Sequence, residues 1–168
     1  MVFSSLTFLC IFLPVVLALY YLLPTLRIRN ILLIAVSLLF YAYGEPVYVL
    51  LMIASIIINY IFGRLLGTEN KKKRQWILAI AVVINIGLLV VFKYLDMMVQ
   101  TVNQLSGSEI PLVGLALPIG ISFFTFQALS YVIDVYRREV EPQKNLWNVM
   151  LYISFFPQLI AGLIVKYH

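Results

Sequence analysis

Charged residues, cysteine and histidine are all scarce in this sequence. Only 11% of its 168 residues are Asp, Glu, Lys or Arg, whereas soluble domains carry about 25%. The single cysteine, Cys10, excludes an internal disulfide and a cysteine-based metal site. The single histidine, His168, leaves no histidine pair for metal binding or acid–base catalysis. We therefore predict no metal site and no catalytic residue in this chain.

Apolar residues are abundant instead. They make up 63% of the chain, and the mean hydropathy is +1.01, values that are typical of a polytopic membrane protein. We predict an all-α transmembrane helix bundle forming a single domain over residues 1–168. Most of its segments are long enough to cross or nearly cross a bilayer core of about 30 Å. The six predicted membrane segments are residues 5–23, 28–43, 47–63, 76–92, 119–135 and 146–165.

The basic residues orient this bundle. Ten of the twelve Lys and Arg residues lie in the first, third and fifth connections between segments, including the run Lys71–Arg74. The positive-inside rule then predicts an outer N-terminus and places these connections in the cytoplasm. We expect a multi-pass protein of the plasma or inner membrane. The net charge of +5 is explained by topology, so we expect no nucleic-acid partner.

The fifth segment carries an unusual number of polar groups. Gln127, Ser130 or Tyr131, and Asp134 recur at helical spacing and share one face, with Ser122 near the start of the segment. Such groups are costly in hydrocarbon unless they face protein or water. One interpretation is that these residues line a substrate tunnel. The other is that they hydrogen-bond neighbouring helices, with Asp134 at the cytoplasmic interface near the arginines that follow it.

Proline and glycine interrupt the chain around this segment. Pro111, Gly114, Pro118 and Gly120 precede it and prevent one regular helix from running inward from a polar loop over residues 103–111. In the sixth segment, a proline at position 157 predicts a kink, and Gln158 beside it is a further candidate for the tunnel lining. The alternative is that Gln158 bonds the backbone freed by the kink.

Three other residues have simpler interpretations. Asn59, which lies four residues after a serine, and Asn85 are predicted to make helix–helix contacts. Gly63 begins a GxxxG pattern, but the pattern straddles a helix end and contains an arginine. It is therefore weak evidence for dimerisation.

Two stretches carry a family resemblance. Residues 117–137 read LPIGISFFTFQALSYVIDVYR, and residues 154–162 read SFFPQLIAG. With MVFSS at the start and SLLFYAYGEP at 37–46, they resemble membrane-bound O-acyltransferases of the alginate O-acetylase-like branch. The similarity covers most of the chain.

The resemblance implies a funnel-shaped bundle that transfers acyl groups, often acetyl, to hydroxyls of exported cell-surface polysaccharides. It implies a cytoplasmic acyl donor such as acetyl-CoA or an acyl carrier, a polysaccharide acceptor on the outer side, and accessory extracytoplasmic proteins. No cofactor is expected to be bound. The substrate-binding residues that it suggests are Ser122, Gln127, Ser130, Tyr131, Asp134 and Gln158.

The catalytic histidine of the family lies well downstream of the segment that matches residues 152–167, and His168 does not occupy its position. Leu163 stands where family members usually have proline. We therefore expect this chain to be the N-terminal part of a larger acyltransferase, whether a fragment, an interrupted reading frame or a truncation, and to be inactive alone. The alternative is a non-enzymatic transporter subunit or assembly scaffold that uses the same polar face.

Overall fold

The computed structural model describes residues 8–44, 46–107, 109–112, 114 and 120–155. Over these residues the regular secondary structure is entirely helical, which confirms the predicted all-α class. A short π-helix, Phe8–Phe12, leads directly into the first α-helix. The six α-helices are α1 (Leu13–Leu22), α2 (Leu26–Gly44), α3 (Tyr48–Leu65), α4 (Lys71–Ser106), α5 (Ile121–Arg137) and α6 (Leu146–Ser154).

Three of these helices, α2, α3 and α4, are long and apolar enough to cross a membrane by length and composition. The apolar helical stretch Cys10–Leu22 is shorter, and α5 has 17 residues. The described part of α6 has 9 residues. The proline at position 157 and its predicted kink lie outside the described residues, so the structure supports a helical membrane protein but leaves six full spans a prediction.

Helix α4 is much longer than the predicted segment 76–92. It has 36 residues, or about 54 Å at about 1.5 Å per residue. The prediction that a polar loop begins at residue 103 is wrong, because the helix ends only at Gly107, whose φ of 66° forms a left-handed cap. In the last turns the hydroxyls of Thr101 and Ser106 donate to carbonyls four residues earlier, so these polar side chains bond within the helix.

Helix α5 is the most buried element of the bundle. It packs on α3, α4 and α6, while α6 also contacts α2 and α3. The core includes Met52, Ile56, Phe124 and Val149, all fully buried. Large apolar side chains elsewhere point outward, as Trp76 does with 72% of its surface exposed. An apolar exterior around a packed interior is the arrangement that a lipid-embedded bundle requires.

Two asparagines join α3 to α4 inside the bundle, as the sequence predicts. The Asn59 side-chain amide donates to Asn85 Oδ1 at 3.0 Å, and Asn85 donates back to Asn59 Oδ1 at 2.8 Å. Each amide also donates to a carbonyl of its own helix, that of Ser55 or Ala81, at 2.8 Å. The pair is therefore well satisfied and fixes the register of the two helices.

Gly63 makes a contact within the chain. It is buried on α3, and a Cβ atom placed there would lie 2.7 Å from both Cε1 and Oη of Tyr131 on α5. Only a residue without a side chain allows the tyrosine ring to approach this closely. The glycine is thus explained by helix packing, without any need for dimerisation.

The third and fifth connections meet at one end of the bundle. A Cβ on Gly67 would lie 3.2 Å from the Pro142 ring, and the Tyr60 hydroxyl donates to the Lys144 carbonyl at 2.8 Å. Two connections at the same end of a bundle are separated by an even number of membrane crossings. The proximity of these two connections agrees with the two predicted segments between them. The compartment that they face remains a prediction.

Candidate functional site

The polar face of α5, which comprises Ser122, Gln127, Ser130, Tyr131 and Asp134, lies largely inside the protein. Gln127 and Asp134 are each 4% exposed and Tyr131 is fully buried, whereas Ser122 and Ser130 are half-buried. The phenylalanines interleaved with this face, Phe123 and Phe126, are exposed. The helix therefore turns its amide and carboxyl groups toward other helices and these two phenyl rings outward, while Phe124 packs in the core.

Two polar atoms on α5 are buried without a hydrogen-bond partner among the described residues. They are Oγ1 of Thr125, which is fully buried, and Oδ2 of Asp134. A buried polar group left unpaired costs about 1–3 kcal/mol, and more when it is charged. Thr125 was not among the predicted site residues, although it lies in the same segment. Both atoms could accept a partner from a substrate or from additional protein.

The alternative places Asp134 at the cytoplasmic interface near the arginines that follow it, and that location stays a prediction. Arg137 pairs with Glu139 at 3.0 Å, and within the part of the chain that the structure describes no salt bridge joins Asp134 to an arginine. The Asp134 backbone carbonyl accepts the N–H groups of Arg138 and Glu139 and so caps the helix.

Tyr131 links α5 to the fifth connection. Its hydroxyl accepts the backbone N–H of Gln143 at 3.1 Å. The Gln143 side chain in turn accepts from the Asn148 amide on α6 at 3.3 Å. Tyr131 therefore has a structural role, and substrate binding is a second, predicted role. That role remains a prediction for every residue of the polar face.

The described residues before α5, namely 109–112, 114 and 120, form no helix, in agreement with the predicted interruption. Gly114 and Gly120 have φ angles of 65° and 76°, which glycine adopts without steric cost. The Gly114 N–H donates to both oxygens of the Asp96 carboxylate, at 3.3 and 3.1 Å. The C-terminal half of α4 thereby holds Gly114. Gln158, the sixth predicted site residue, lies outside the described residues.

A basic cleft is present at the opposite end of α5. It has a volume of about 430 Å³ and is lined by Glu69, Lys71, Arg74, Tyr136, Arg137 and Arg138. In the sequence these cations serve first as topology signals, with contact to anionic lipid headgroups as a side effect. Their clustering in the third and fifth connections was the available signal, but only the fold brings the two connections together. No group of His, Cys, Asp and Glu in the described ranges is arranged to hold a metal ion.

These features define a helical membrane protein with a buried polar face. No protein-family model matches the chain, and no solved structure is significantly similar. The chain is 38% identical to a probable alginate O-acetylase of Pseudomonas aeruginosa and 37% identical to one of Azotobacter vinelandii. Each alignment covers 99% of this chain and 33% or 34% of the relative. A peptidoglycan O-acetyltransferase of Helicobacter pylori is 32% identical over 80% of this chain and 30% of its own length.

Nearly the whole chain is thus similar to part of proteins named as probable alginate O-acetylases. It spans about a third of the length of the curated relatives that it matches.

Proposed function

We propose that this chain is part of a membrane O-acyltransferase that transfers an acyl group, most simply acetyl, to hydroxyls of an exported cell-surface polysaccharide. The observation that carries the proposal is 37–38% identity to probable alginate O-acetylases along 99% of the chain. Another relative is named as a peptidoglycan O-acetyltransferase. The relatives' names thus share acetyl transfer but differ in the acceptor polymer, so they support the reaction and do not identify one acceptor.

In this proposal the chain supplies part of the substrate passage, and the catalytic histidine lies in the remaining length of the protein. That histidine would take the proton of a sugar hydroxyl. The oxygen would attack the acyl carbonyl of a thioester, forming the ester bond as the carbon–sulfur bond breaks and the thiol leaves. The 168-residue chain would therefore be inactive alone.

The buried Thr125 and Asp134 atoms that lack a partner among the described residues support a role in lining this passage. Buried polar groups without partners are unfavourable in a finished core, so we infer that substrate or the rest of the protein completes their hydrogen bonds. The donor, acetyl-CoA or an acyl carrier, would approach from the cytoplasm. The polysaccharide and any accessory proteins would lie outside the plasma or inner membrane.

The test is O-acetylation by the complete gene. It would be expressed in a strain that exports an unacetylated polysaccharide, and acetyl groups per sugar would be measured by proton NMR. We expect acetylation with the natural gene and at least a tenfold loss for Gln127→Leu and Asp134→Leu at equal membrane abundance. The matched control is Phe123→Leu, on the exposed face of the same helix, which should retain activity.

Failure of the natural gene to acetylate any exported glycan would contradict the proposal and favour a transporter subunit or scaffold. If both polar-face variants kept full activity, the protein would still be an acyltransferase, but α5 would not line its substrate passage.

A further inference from the structure

The basic cleft combines residues from two separate connections. Glu69, Lys71 and Arg74 come from the start of α4 and the turn before it, and Tyr136, Arg137 and Arg138 come from the end of α5. Four of the six lining residues are cations and one is an acid. Glu139, which does not line the cleft, pairs with Arg137. The cleft therefore retains an excess of positive charge that no nearby acid of the described residues balances by an ion pair.

Arg74 is fixed in the wall of this cleft. One terminal nitrogen of its guanidinium donates to the Tyr136 carbonyl, and the guanidinium carbon lies 5.1 Å from the centroid of the Tyr136 ring. Its Nε is buried and has no hydrogen-bond partner within the described part of the chain. The side chain is thus held in place by one of its five N–H donors, and a planar guanidinium suits the recognition of phosphate oxygens.

The surrounding backbone adds to this arrangement. The N-terminus of α4, a helix of 36 residues, opens beside the cleft, and the positive end of a helix dipole attracts anions. Asn70 already caps it by accepting the N–H groups of Lys72 and Lys73 at 3.1 and 3.3 Å. The helix end therefore contributes a positive electrostatic potential. The side chains of Lys71, Arg74 and Arg138 supply the hydrogen-bond donors.

From these observations we propose that the basic cleft is a binding site for a phosphate group. Its volume of about 430 Å³ lies within the range of small-molecule sites, about 300–1,000 Å³. Two sources offer the same chemistry. One is the headgroup of an anionic lipid, since Trp76 lies exposed one half-turn beyond Arg74 on α4, as aromatic residues do at membrane interfaces. The other is a soluble phosphate compound.

The experiment uses the protein expressed from the complete reading frame and purified in a neutral detergent. In one arm, pyrophosphate is titrated and binding is measured by calorimetry. In the other arm, the protein is exchanged into vesicles of phosphatidylcholine with phosphatidic acid, and retention of phosphatidic acid is measured by native mass spectrometry. Salt concentration is held constant, because screening weakens exposed charge interactions.

The test variant is Lys71→Gln/Arg138→Asn, which removes two cleft cations and leaves Arg74 and its contact with Tyr136 intact. The matched control is Lys72→Gln/Lys73→Gln, which removes the same charge from the same basic run but from residues that do not line the cleft. We expect the test variant to bind at least tenfold more weakly in one or both arms, and the control to stay within about threefold of the natural protein.

Weaker pyrophosphate binding by the test variant identifies a soluble phosphate compound as the ligand. Weaker retention of phosphatidic acid by the test variant identifies a lipid headgroup. Either result supports the site. Absence of binding in both arms, or equal weakening by the test and control variants, would overturn it. This outcome is independent of acyl transfer, which the polysaccharide assay measures separately.

Discussion

At the scale of single residues, a close contact joins α3 to α5. The Tyr131 ring occupies the space that a side chain at Gly63 would need. Gly87 provides a contrast, because a Cβ added there would meet no atom within 4 Å. The two helical glycines should therefore respond in opposite ways to the same substitution.

We predict that Gly63→Ala lowers the free energy of unfolding by about 1–3 kcal/mol, because overpacking forces the ring or the helix to move. Gly87→Ala should be neutral or stabilising by up to about 1 kcal/mol, since alanine favours the helix. Both are measured by denaturant unfolding of the purified protein. Truncating the ring with Tyr131→Ala should reduce the cost of Gly63→Ala; an unchanged cost in that background would show that the contact does not cause it.

At the scale of helices, the asparagine pair is the best-defined polar link in the bundle. Both amides are satisfied by each other and by their own helices, so removing one leaves the other without its partner. Hydrogen bonds between membrane helices couple by about 0.6 kcal/mol on average and reach about 1.7 kcal/mol.

We predict a coupling energy of about 1–1.7 kcal/mol between Asn59→Leu and Asn85→Leu, in the upper part of that range because the bond is reciprocal. It is measured by a double-mutant cycle in unfolding experiments. Val83→Leu, at an exposed position of α4, serves as the control and should not couple to Asn59→Leu. If the effects of the two asparagine substitutions on the free energy of unfolding were strictly additive, a direct interaction between the side chains would be contradicted.

Some features of the helices follow from the sequence, whereas others depend on how the helices pack. Periodicity correctly places Gln127 and Asp134 on a buried face of α5, and the cost of polar groups in lipid predicts that Asn59 and Asn85 each contact another helix. That they contact each other depends on how α3 and α4 pack. The C-terminal end of α4 was missed because polar residues there resemble a loop, although they remain helical. The Gly63–Tyr131 contact and the basic cleft depend on which helices and connections become neighbours, which local patterns do not specify.

At the scale of the whole molecule, the arrangement of the ends gives the protein two distinct faces. The basic cleft and the linked third and fifth connections form one end, while Asp96 and Gly114 lie toward the other. We infer from this asymmetry that the polar face of α5 runs between an outer, polysaccharide-facing end and an inner, donor-facing end, and this orientation is the central proposal.

Cysteine accessibility tests this orientation most directly. Cys10, the single native cysteine, is replaced by alanine, and Lys72→Cys or Glu109→Cys is introduced separately; both positions are exposed. Spheroplasts are then treated with a maleimide that does not cross membranes. We predict that the cysteine at position 109 is labelled in intact spheroplasts and the one at position 72 only after lysis. Labelling of position 72 in intact spheroplasts, with protection of position 109 until lysis, would contradict the orientation.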